Sequence, residues 1–93
     1  MIYESVGSAV SIGEKTTVSD AEFIKMVNPT SNELTVRFFK GNGLCIHIPI
    51  EANGEVILQK ETVETVREAT GSITAEPLIE QPFEADAANV GDS

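Results

Sequence analysis

The sequence predicts a small all-β protein, an antiparallel β-sandwich or barrel of about six short strands, with an extended acidic C-terminal arm. Three observations carry this. Apolar and polar residues alternate with a period of two across Leu34–Lys40 and again across Leu44–Ile50. Turn-forming clusters recur at short intervals: NPTSN at 28–32, GNG at 41–43 and EANG at 51–54. The end of the chain loses its apolar pattern and turns acidic. Ninety-three residues hold one core, which at this size buries only about 60–65% of the unfolded surface. With no Trp, one Tyr and four Phe, that core falls to Val, Ile, Leu and Ala.

Taken in order, Ile2–Ile12 mixes apolar and small residues and ends at Gly13, and Thr16–Ser19 reads as a polar loop or short strand. Glu22–Val27 (EFIKMV) is a strand stopped by NPTSN, where Pro29 lacks a donor and Asn and Ser favour local turns. Leu34, Val36 and Phe38 then share one face and Thr35, Arg37 and Phe39 the other. Gly41, Asn42 and Gly43 tolerate positive φ, so Leu34–Ile50 is a β-hairpin whose return strand turns Leu44, Ile46, Ile48 and Ile50 to the core. EANG leads into Glu55–Lys60 (EVILQK), which predicts a three-stranded meander. ETVETVREATG spaces Val63, Val66 and Ala69 like one helical stripe closed by Gly71, but its Thr and Val content favours a turn or irregular strand. Ser72–Ile79 (SITAEPLI) is a last strand, placed at a sheet edge by Pro77. The domain is expected over residues 1–79 and the arm over 80–93, with Phe83 and Val90 the arm's sizeable apolar groups.

The net charge of −9 is uneven. Nine acidic and six basic residues precede Glu68, a balance of −3, and six acidic residues with no basic ones follow from there, a further −6. Phosphate backbones are held by clustered Lys and Arg, so nucleic acid is not an expected partner. An acidic end suits a basic partner surface or keeps the chain in solution. One cysteine excludes an internal disulfide and fits a reducing compartment. Met1 is followed by IYESVGS without a basic start, and no run approaches the ~18 apolar residues of a membrane span, so a soluble, unexported protein is expected.

Cys45 and His47, the chain's only residues of their kinds, invite a thiol–imidazole reading. On a strand they share a face about 7 Å apart, beyond a direct hydrogen bond, and nothing mid-hairpin supplies an orienting group or oxyanion site. One Cys and one His give half of a zinc set. GNG is too short to cradle phosphate, and Asp86, Asn89 and Asp92 do not form a calcium loop. The acidic residues at strand ends and turns occupy solvated positions rather than acid–base pairs. No catalytic, cofactor-binding or metal residues are therefore expected. The Arg37, Phe39 and His47 face has the Arg and aromatic content that interfaces favour, and Phe83 is the expected anchor of the arm. The plainer alternative makes that face the second inner face of a sandwich.

VNPTSNELTVRFFKGNG, then IHIPIEANGEVILQK and ETVETV, resembles the small virion structural proteins of tailed bacteriophages, especially phages of cyanobacteria and other marine hosts. The likeness covers about Glu22 to Ala75 and is a pattern of strands and turns, from which the acidic extension after Ile79 departs. It implies a non-enzymatic capsid decoration or cement protein, assembled in the host cytoplasm. Such a protein binds major capsid or other virion proteins, and itself as a homo-oligomer, but no nucleic acid or membrane. The alternatives are a head–tail neck or tail accessory protein and, further off, a small cellular β-barrel enzyme of the cupin kind or a binding module. One His argues against a cupin metal site, and few exposed aromatics argue against a carbohydrate module.

Overall fold

Two antiparallel sheets face each other in the computed structural model, which describes residues 2–81. The strands are β1 (Ile2–Ser5), β2 (Val10–Ser11), β3 (Phe23–Val27), β4 (Leu34–Phe39), β5 (Cys45–Ile50), β6 (Glu55–Gln59), β7 (Thr65–Arg67) and β8 (Thr74–Gln81). One sheet runs β1-β8-β3-β6, with β2 continuing the β1 edge beside β8; the other runs β5-β4-β7. On the far side of β7, Thr16 makes an isolated bridge to Val66. Counting β1 and β2 as one interrupted strand and the Thr16 bridge as a vestigial second, the orders are 1-8-3-6 and 2-7-4-5. This is the strand order of a jelly roll, in which only the β4–β5 hairpin stays within one sheet.

The period-two pattern explains the core. Ile24 and Met26 of β3 and Ala75 of β8 point inward from the larger sheet. Val36 and Phe38 of β4, Ile50 of β5 and Val66 of β7 meet them from the smaller one, with Ile12, Val18 and Ile73 closing the ends. Each fully buried side chain of this size contributes about 1.5–3 kcal/mol relative to exposure. Where the strands cross between sheets, the fully buried Asn28 takes over. Its amide donates to the carbonyls of Asn32 (2.8 Å), Ile50 (3.0 Å) and Glu51 (3.2 Å), and its oxygen accepts from the Thr30 N–H (3.0 Å) and hydroxyl (2.7 Å).

The antiparallel all-β sandwich agrees with expectation, with eight strands in place of about six because the N-terminal strand is broken and ETVETVREATG forms β7. In the hairpin turn, Gly43 has φ +91° and the Lys40 N–H donates to the Leu44 carbonyl at 2.8 Å. Of the arm expected over 80–93, Glu80 and Gln81 instead continue β8 opposite Tyr3 and Ile2, and residues 82–93 lie outside the described residues.

Three local expectations are corrected. The meander does not form, because EANG carries the chain across the sandwich and β6 pairs with β3. Leu44 and Ile46 keep the inward parity but are exposed at 59% and 42%, since β5 is an edge strand. Pro77 lies in the interior strand β8, opposite Ile24 of β3, rather than at an edge. Its carbonyl accepts from the Val6 N–H (3.1 Å), so the missing N–H would face that same side, where Gly7–Ala9 already break the ladder between β1 and β2. Gly7 packs on the proline ring so closely that a Cβ there would stand 2.9 Å from Pro77 Cγ.

Candidate interaction face

Val36 and Phe38 are buried, so the alternate residues of β4 point outward, and side chains directly opposite one another on neighbouring strands share that face. Arg37 stands opposite His47 on β5 and opposite Arg67 on β7. The three form one row across the whole three-stranded sheet. In the adjacent row Phe39 stands between Cys45 and Thr65, and the Lys15 ammonium lies 4.3 Å from the centre of the Phe39 ring, a cation–π contact. Thr35, Arg37, His47, Arg67 and Ala69 line an open depression of about 430 Å³.

The electrostatics of this face are lopsided. The three strands β4, β5 and β7 carry two arginines and a histidine and no carboxylate. The described strands of the other sheet carry Glu4, Glu55, Glu76 and Glu80 against one cation, Lys25, which pairs with Glu76 at 3.7 Å. Among the described residues neither Arg37 nor Arg67 has a carboxylate partner. Among the described residues the Arg67 guanidinium reaches the Gly13 carbonyl, to which Nε donates at 3.4 Å. Like charges directly opposite on a sheet are destabilising, so the row is a local cost that the sandwich carries.

The remaining charged clusters lock turns. Glu64 is buried against the hairpin turn, accepting from the Gly41 N–H (2.8 Å) and the Glu61 N–H (2.9 Å). Those two bonds hold its carboxyl below the ordinary carboxylate range. Burial pushes the Glu68 carboxyl up, but hydrogen bonds from Thr70, Ser72 and Ile73 outweigh it and the net shift is downward. Lys60 is buried with its amine donating to the carbonyls of Glu61 (3.1 Å) and Thr62 (3.3 Å); burial lowers its pKa against the opposing pull of Asp20 and Glu64.

Of the residues expected at an interface, Arg37, Phe39 and His47 are brought together on this outward face, so the plainer reading of a second inner face is overturned; Phe83 lies outside the described residues. Cys45 and His47 also share it, but the cross-strand neighbour of His47 is a guanidinium rather than a carboxylate that could orient an imidazole base. Among the described residues no three His, Cys, Asp or Glu side chains gather as a metal-ligand set. Sequence reasoning missed Arg67 and Lys15. The first was hidden by treating Val63, Val66 and Ala69 as a helical stripe, although its place beside Val66 gives it strand alternation; the second has no local signal, because a loop brings it to Phe39. No family model, no curated protein and no solved structure matches this chain.

Proposed function

We propose that this chain is a non-enzymatic structural protein of a tailed-phage particle, most simply a decoration protein carried in many copies on the shell. Its docking surface is the outward face of the β5-β4-β7 sheet. The observation that carries this reading is the His47–Arg37–Arg67 row: adjacent basic side chains with no carboxylate partner among the described residues, on a chain of net charge −9. Such a row costs the isolated domain stability and gives its benefit when an acidic surface covers it. The strand-and-turn resemblance over Glu22–Ala75 supplies the particle, and a filled jelly-roll interior leaves recognition to the outside of the sandwich.

The test is mass spectrometry of purified virions, followed by binding of the purified chain to shells that lack it. The chain should appear at high copy number in the head fraction, and an Arg37→Gln/Arg67→Gln variant should load poorly while remaining folded. Recovery in neck or tail fractions would move the protein to the head–tail junction. Absence from particles, or loading indifferent to both arginines, would overturn the reading.

A further inference from the structure

The basic row needs an acidic occupant, and the sequence carries one. We infer that the acidic segment following β8 of one copy lies across the His47–Arg37–Arg67 row of a second copy, linking copies head to tail. This rests on the reading of that face as a docking surface. Residues 82–93 hold Glu84, Asp86 and Asp92 and no Lys or Arg, whereas the strands of the face hold no carboxylate at all. Glu84 and Asp86 bring two carboxylates close together in the sequence, as the row brings two guanidinium groups onto neighbouring strands. Two guanidinium forks favour paired carboxylates over a single charge.

β8 ends in the β1-β8-β3-β6 sheet and the row faces outward from the opposite sheet, so the segment of each copy leaves the fold from the layer opposite that copy's own row. A copy that offers its segment to a neighbour still has its own basic face free. Contacts of this heterologous kind build rings or extended arrays rather than closed pairs, which suits a protein laid down in many copies. The twelve residues after Gln81 reach up to about 40 Å when extended, enough to cross a neighbour's three-stranded sheet.

Sedimentation velocity of the full chain across a concentration series, at low and at molar salt, tests this. Wild type should self-associate at low salt and dissociate at molar salt, where screening acts over about 3 Å. The face variant Arg37→Gln/Arg67→Gln and the segment variant Glu84→Gln/Asp86→Asn should each weaken association about tenfold or more. Mixed together, they should form a one-to-one pair that grows no further, because each supplies only the half the other lacks. A wild type that stays monomeric throughout, or a segment variant that associates like wild type, overturns the inference. Loading on particles separates this from the broader reading: if the segment variant loads normally and the face variant does not, the segment contact is wrong and the face stands. If both load normally, the face reading falls as well.

Discussion

Arg37→Glu should make the isolated protein more stable. Arg37 is exposed at the centre of the row, flanked by His47 and Arg67 in direct cross-strand register, and its side chain contributes nothing to the buried core. A like-charged pair directly opposite costs a few tenths of a kcal/mol to about 1 kcal/mol, and an opposite pair returns a similar amount. Reversing one charge therefore swings the Arg37–Arg67 pair by about 0.4–2 kcal/mol. Against this stands the weaker strand preference of Glu, a fraction of a kcal/mol. The net gain is about 1 kcal/mol, which for a domain of this size raises Tm by about 4–8 °C. Thermal and urea unfolding at low salt would measure it. Arg37→Gln, which removes repulsion without adding attraction, should give about half, and molar salt should erase most of both gains. If Arg37→Glu lowers stability at low salt, or its effect does not depend on salt, the row is not the electrostatic cost inferred from its register.

Asn28→Ala should be among the most damaging single changes, at about 3–4 kcal/mol by urea unfolding, because it leaves buried carbonyls and the Thr30 N–H without partners; a loss under about 1 kcal/mol would show that water replaces the side chain. Val18, Ser19 and Asp20 hold φ of 55°, 61° and 58° in succession, so Ser19→Gly should stabilise by about 0.5–1 kcal/mol, whereas Gly43→Val, forcing a β-branched residue to φ +91°, should cost at least about 1 kcal/mol. Both are read from denaturant midpoints. The Glu68 carboxyl has a folded pKa depressed below its ordinary 4.5, so its stabilisation is present above that value and is lost as pH falls through the folded pKa. Stability measured against pH below 4.5 should therefore fall more steeply in wild type than in Glu68→Gln, and parallel profiles would refute the assignment.

Much of the fold was legible because alternation reports which way a side chain points. Leu34–Lys40 and Leu44–Ile50 were readable as a hairpin, since each strand's parity and the GNG turn agree with one another. Parity does not say which sheet the next strand joins. The two faces of a sandwich look alike along the chain, so EANG could be recognised as a turn but not as a crossing. Pro77 shows the complementary limit. A proline excludes a ladder donor at one point, and the chain accommodates it inside a sheet by breaking the neighbouring strand at Gly7, an event some seventy residues away in sequence. For the site, Arg37 and His47 were visible together because one hairpin carries both; Arg67 joins them only through the pairing of β7 with β4.

A jelly roll can carry chemistry in its interior when the sheets splay apart and polar groups line the gap. Here the gap is filled: Ile24, Met26, Val36 and Ala75 are fully buried and Phe38 is 3% exposed. The buried polar groups Asn28, Lys60, Glu64 and Glu68 all point at backbone donors or acceptors in the connecting turns. Those groups are bound to the turns that hold the sheets in register, so they cannot be released for a substrate without loosening the fold. What the core leaves unbalanced is charge, and the separation of signs by sheet concentrates the imbalance on one face. A free molecule would be more stable with Glu at position 37, as the cross-strand register requires. The row makes physical sense where an acidic surface is present to cover it.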